Sequence, residues 1–124
     1  MFDRASIDDL LHQYSEIISS YTILKDSFID DRYTFEIKIE FKDKSKLENR
    51  EVFLFIDDAV KRRYKFHWMN SDNSLILRWD NAPHHPHIGN FPYHLHREKE
   101  DAIEESSEMT LSSVLIFIKK IIQK

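Results

Sequence analysis

The chain has 124 residues, a formal net charge of −4, 41% apolar and 13% aromatic residues, and no cysteine. That length suits one domain, residues 1–124, able to bury roughly two-thirds of the surface its unfolded chain exposes. Missing cysteine excludes disulfides, thiolate metal sites and a cysteine nucleophile, and no apolar run approaches the ~18 residues of a membrane-spanning helix.

Met1-Phe2-Asp3-Arg4 lacks the pattern of a secretory leader. A cytoplasmic protein with no membrane role is therefore expected. Ser6 is positioned to cap a first helix over about Ile7 to Ser20, with Ile7, Leu10, Leu11, Tyr14, Ile17 and Ile18 at helical spacing. A strand over about Tyr21 to Ile29 follows, and Asp30-Asp31 reads as a turn. Tyr33, Phe35, Ile37, Ile39 and Phe41 then alternate with polar residues, the period of a strand with one buried face. After a polar connection at residues 43–46, Val52 to Ile56 is apolar at every position and reads as a central strand. Arg63 to Met69 alternates again, with Tyr64, Phe66 and Trp68 on one face.

Asn70 to Ser74 has the composition of a hairpin turn. The returning strand, Leu75 to Asp80, places Leu75, Leu77 and Trp79 on one face and Ile76, Arg78 and Asp80 on the other. A loop over Asn81 to Asn90 separates it from a short strand, Tyr93 to His96. Glu98 to Glu108 reads as a charged connection, and Thr110 caps a last helix with a stripe of Leu111, Val114, Leu115, Ile118, Ile121 and Ile122. Lys119, Lys120 and Lys124 suit the C-terminal end of its dipole. The expected class is α+β: an antiparallel, two-layer arrangement of five to six strands with a helix at either end of the sequence. Both helices can cover one face of the sheet and leave the other open.

The chemistry-bearing residues are concentrated. From Lys61 to Arg97 there are six basic and two acidic residues, a local +4 in an otherwise acidic chain, together with six of the seven histidines. Gly89, the sole glycine, and all three prolines (Pro83, Pro86, Pro92) lie within ten residues of one another. Proline fixes φ and lowers the entropy lost when a loop is ordered, which suits side chains that must be held in place. His94 and His96 share one face of their strand, as Arg78 and Asp80 do of theirs. Folding the loop over that face would bring His84, His85 or His87 to them.

Three chemistries use such a set. In metal-free RNA cleavage, one neutral imidazole takes the 2′-hydroxyl proton and a protonated one donates to the leaving 5′-oxygen. Arg78 stabilises the charge that develops, and Asp80 orients an imidazole. In the second, His94 and His96 with one or two loop histidines (His84 first among them) or Asp80 hold a divalent metal such as zinc, and the protein is a hydrolase or nuclease. In the third, the face binds a phosphate or a protein partner without catalysis. The bland readings are a rigid turn for the Pro-His-Pro loop, a solvated charge run for Arg62-Arg63, an exposed helix residue for His12, a sheet-face polar residue for His67, and packing for Trp68 and Trp79.

The stretch Phe66-His67-Trp68, Arg78-Trp79-Asp80-Asn81-Ala82-Pro83-His84-His85-Pro86 and Phe91-Pro92-Tyr93-His94-Leu95-His96, ending in Ser107-Glu108-Met109-Thr110-Leu111, resembles the TumE-type toxins. The resemblance spans about residues 64–118. It implies the toxin of a type II toxin–antitoxin pair with a helix-turn-helix antitoxin of the TumA type as partner and, by analogy with other such toxins, an RNase acting on RNA. It marks Arg78, Asp80, His84, His85, His94 and His96 as candidate catalytic residues. Asn81, Arg63, Lys65, His67 and Tyr93 are candidate substrate contacts. No cofactor is required by the metal-free reading, and a homodimer is compatible with it. The acidic balance of the whole chain counts against RNA, and the local positive segment offsets it.

Overall fold

The computed structural model describes residues 2–123; Lys124 lies outside that range. Nine elements follow in order: α1 (Arg4–His12), β1 (Ile18–Ile29), β2 (Arg32–Phe41), β3 (Lys46–Ile56), β4 (Ala59–Met69), β5 (Leu75–Asp80), β6 (His94–Arg97), β7 (Ile103–Glu105) and α2 (Leu111–Ile122). The strands form one antiparallel sheet in sequence order. Every connection is a local one, as short polar turns dictate.

The α+β class agrees with the expectation, and the strand count is seven rather than five to six. The additional strand, β7, lies inside the stretch read as a charged connection. Its alternation is only three residues long, and pairing with β6 rather than apolar content makes it a strand.

The first helix is also shorter than its apolar stripe. It is capped by Asp3, whose carboxylate accepts from the Ala5 N–H at 3.3 Å and from the Ser6 hydroxyl at 3.0 Å, so Ser6 supports the cap instead of being it. It ends at His12, and Ile17 and Ile18 enter the core from a turn and from the start of β1. In α2 the stripe holds for Leu111, Val114, Leu115 and Ile118, whereas Ile121 is exposed; Thr110 caps it, accepting from the Ser113 N–H.

Period-two alternation divides the sheet cleanly. One face carries Phe35, Ile37 and Ile39 of β2, Leu47 of β3, Tyr64, Phe66 and Trp68 of β4, and Leu77 and Trp79 of β5. All are buried in one cluster with Ile7 and Leu11 of α1 and Val114, Leu115 and Ile118 of α2. Trp79 meets Phe117 of α2 edge-on at 5.4 Å between centroids. Polar groups under the helices are mostly paired, the exception being the buried Asn49 Oδ1, which has no partner among the described residues. Arg62 donates to Glu51 at 2.6 Å and to the Met109 carbonyl at 2.9 Å, and the Met109 N–H donates to the Tyr64 hydroxyl at 3.2 Å, which fixes the entry to α2. Burial pushes the Glu51 carboxyl up, and Arg62 only partly offsets it.

Candidate functional site: a histidine cluster on the helix-free face

The opposite face carries the alternate residues. Register aligns His67, Arg78 and His96 across β4, β5 and β6, and one row over aligns Lys65, Asp80 and His94. Neighbouring strands lie about 4.8 Å apart, so residues in one row are side by side. This is how a sequence gap of 14 residues between Asp80 and His94 closes to a direct contact.

Although no helix covers this face, Asp80, His94 and His96 are all buried; the two imidazoles are 3% and 4% exposed. The cover is the loop between β5 and β6, which lays the half-buried His85 over them. Its ring lies 5.0 Å from that of His94 and 6.0 Å from that of His96, and the His94 and His96 rings are 5.0 Å apart. Ligand atoms of His85, His94 and His96 all fall within 4.8 Å of one another.

The partners of the two buried imidazoles differ. His94 has Nδ1 at 2.9 Å from the Pro92 carbonyl and Nε2 at 2.8 Å from the Asp80 Oδ1. The Pro92 carbonyl can only accept, so Nδ1 donates to it, and the short Nε2–Oδ1 contact has a proton between its two atoms. His96 has Nδ1 at 2.6 Å from the Glu100 carbonyl, to which it donates. Its Nε2 faces the Arg78 Nη2 at 3.2 Å and accepts from it, the pattern of a neutral ring. Asp80 joins the two: its Oδ2 accepts from the Arg78 Nε at 3.2 Å and lies 3.4 Å from the His96 Nε2, while Oδ1 also accepts from the Ala82 N–H at 3.1 Å. The hydrogen-bond partners of the two adjacent imidazoles are thus different: a carboxylate faces Nε2 of His94 and a guanidinium faces Nε2 of His96. Burial lowers the pKa of His85, and repulsion from His94 and His96, then His87 and His84, lowers it further.

The structure therefore brings together Arg78, Asp80, His85, His94 and His96. His84 and His87 stand on exposed loop positions, with centroids 6.5 and 6.0 Å from that of His85. His84, one of the loop histidines expected as a third metal ligand, is outside the triad, and the adjacent His85 takes the place over His94 and His96.

Among the expected substrate contacts, Arg63 and Lys65 are exposed on the same helix-free face, and Arg63 donates to the Asn81 carbonyl at 3.0 Å. His67 is half-buried beside Arg78, its pKa lowered by burial first and then by Arg78 and Lys65. Asn81 has a different employment. Its Oδ1 accepts from the Tyr64 N–H and its Nδ2 donates to the Arg62 carbonyl, both at 2.8 Å, so the carboxamide continues the sheet ladder where β5 ends. Tyr93 packs against the apolar core and not among the imidazoles, since it precedes His94 and points to the opposite face.

Two contributors escaped the sequence reading. Glu100 holds Nδ1 of His96 through its backbone carbonyl and pairs with Arg78 through its side chain. Glu105 pairs with His94 across β6 and β7 and its carboxylate lies beside Gly89 of the loop. Both sit in the segment read as a connection, and only their alignment beside β6 gives them a role.

Compared with known families, the chain matches the one described as Toxin TumE over residues 7–122. It belongs to the TumE toxin family. The match extends the sequence resemblance of residues 64–118 to both helices and all seven strands of this TumE-family chain. No curated protein and no solved structure matches it. Among the described residues, no helix is long and apolar enough to cross a membrane.

Proposed function

We propose that this protein is the toxin of a type II toxin–antitoxin pair and that it cleaves RNA by metal-independent acid–base transesterification at the histidine cluster. Membership of a toxin family supports the first part and makes an antitoxin the expected partner, with a helix-turn-helix protein as its form. One observation carries the second part: His94, with both ring nitrogens on acceptors and Asp80 at 2.8 Å, lies beside the less enclosed His85 and in the same cluster as Arg78.

The roles follow from access and hydrogen bonding. His85, on the solvent side, takes the proton from a ribose 2′-hydroxyl. The freed 2′-oxygen attacks the adjacent phosphorus, and Arg78 offsets the negative charge that builds on the phosphoryl oxygens. The departing 5′-oxygen takes the proton that lies between His94 Nε2 and Asp80 Oδ1, which part at that step, while the Pro92 carbonyl on Nδ1 holds the ring in place. His96 positions Arg78 by accepting a hydrogen bond from its Nη2. The products are a 2′,3′-cyclic phosphate and a 5′-hydroxyl. Arg63 and Lys65 on the same face supply positive charge for flanking phosphates.

The test is incubation of purified protein with RNA in EDTA between pH 5 and pH 8. Cyclic-phosphate ends, lost in His85→Ala and His94→Gln, are the expected result. Intact RNA throughout that range overturns the nuclease reading. A short helix-turn-helix reading frame beside this one, whose product relieves growth inhibition, is the expected result for the toxin reading.

A further inference from the structure

We propose that His85, His94 and His96 form a binding site for one zinc-class divalent cation, with Asp80 Oδ1 as a fourth ligand, and that the ion competes with the acid–base use of the same imidazoles. The competition rests on the nuclease reading; the binding site does not.

Geometry carries the site. Three imidazoles present ligand atoms within 4.8 Å of one another. Both buried rings donate Nδ1–H to backbone carbonyls, His94 to Pro92 at 2.9 Å and His96 to Glu100 at 2.6 Å. That outer bond fixes the tautomer and aims the Nε2 lone pair inward, the arrangement typical of metal-ligating histidine. The 2.8 Å between His94 Nε2 and Asp80 Oδ1 needs a positive centre between two lone pairs. A proton supplies it in the nuclease form, and a metal ion bound to both atoms supplies it equally well. Zinc–nitrogen bonds of about 2.0–2.1 Å place tetrahedral ligands a little over 3 Å apart, so the triad must contract by roughly an ångström or two. His85 can make that move because it is carried by a loop and not by a strand.

Arg78 is the opposing charge, 3.2 Å from the His96 Nε2. It also pairs with Asp80 Oδ2 and with the Glu100 carboxylate, and the latter contact can keep it when the imidazole turns to a metal. Three nitrogens and one oxygen suit zinc or cobalt(II) better than magnesium or calcium, which prefer oxygen ligands. A bound ion uses the lone pair of His85 that would accept the ribose proton, and replaces the proton that His94 would donate.

The experiment uses the full chain, purified without a histidine tag and stripped with chelator. Titration with Co²⁺ is read by visible absorbance, and Zn²⁺ affinity is read by competition with a chromophoric chelator. Expected are one equivalent of Co²⁺ with the intense bands of a four-coordinate site, displacement by Zn²⁺, and at least a tenfold weaker Zn²⁺ affinity in His85→Ala. His84→Ala and His87→Ala should bind as the parent does. His85 lies on a loop outside the core, so its variant keeps the fold, which circular dichroism checks. Binding of less than one equivalent, six-coordinate spectra, or equal losses in His84→Ala and His85→Ala overturn the site. RNA cleavage by the stripped protein in chelator-free buffer that stops at one equivalent of Zn²⁺ supports the competition, and stimulation by Zn²⁺ overturns it. Absence of cleavage in EDTA sinks the nuclease reading while the Co²⁺ spectrum still decides the site.

Discussion

The two faces of the sheet are built from alternate residues of the same strands, yet they bury their side chains by different means. On one face, two helices exclude water from Phe35, Phe66, Trp68 and Trp79. On the other, a loop excludes it from Asp80, His94 and His96, which satisfy one another and nearby carbonyls by hydrogen bonding. Burial on the first face follows mainly from apolar area, with the buried Asn49 and Glu51 as its polar exceptions. Burial on the second is tolerated only because each polar atom has a partner. The first face supplies stability; the second holds polar groups in a fixed geometry, as a reacting or ligating site requires.

This contrast can be broken from either side. The largest expected effect is on activity. Asp80→Asn removes the carboxylate that holds His94 and Arg78, and should lower RNA cleavage by about 10²- to 10⁴-fold with the fold retained, as checked by rates and circular dichroism together. A variant that unfolds instead would assign Asp80 to stability and erase the distinction between the faces. On the covered face, Trp79→Ala should cost about 3–5 kcal/mol in urea unfolding, the range for a large core aromatic; a loss under 1 kcal/mol would mean that α2 does not close that core. Asn81→Ala leaves the buried Tyr64 N–H without its acceptor, and a cost of about 1–3 kcal/mol is expected from the same measurement.

Smaller effects sharpen the comparison. The pKa of His67 is lowered in the folded state from the ordinary 6.5, so the unfolded chain takes up its proton first on acidification. Its contribution is intact above that value and is lost as pH falls below it. His67→Gln should therefore flatten the pH dependence of the urea midpoint between pH 7.5 and pH 5.5, and an unchanged slope would show that His67 is solvated. Gly89→Ala should be nearly silent, within about 0.5 kcal/mol. A Cβ there meets the carboxylate of Glu105, an exposed side chain able to swing away, and Gly89 does not have a positive φ.

That last case shows why the sequence was legible in parts. Gly89 stands out as the only glycine, and rarity invites a backbone explanation that the local angles do not require. Strands β2, β4 and β5 could be read outright because alternation imposes a period on residue type. The end of α1 could not, because Ile17 and Ile18 fit a helical stripe equally well when they reach the core from a turn and a strand. β7 was missed for the opposite reason, since three residues of mixed character carry no period. The candidate residues Arg78, Asp80, His94 and His96 could be placed on their faces by counting in twos. Asn81 and Tyr93 could not be placed by the same counting because both adjoin strand ends, where a shift of one residue changes the face or the partner.

The sequence by itself determined the class, the apolar face of each long strand, and the concentration of imidazole between Arg78 and His96, because these depend on local periodicity and composition. Only the tertiary structure decided that His85 rather than His84 closes the triad, that His94 faces acceptors at both nitrogens while His96 accepts from Arg78, and that Glu100 and Glu105 belong beside them. Those outcomes depend on strand register and on the path of a loop. Both are fixed by contacts between residues far apart in the chain, which no local pattern encodes.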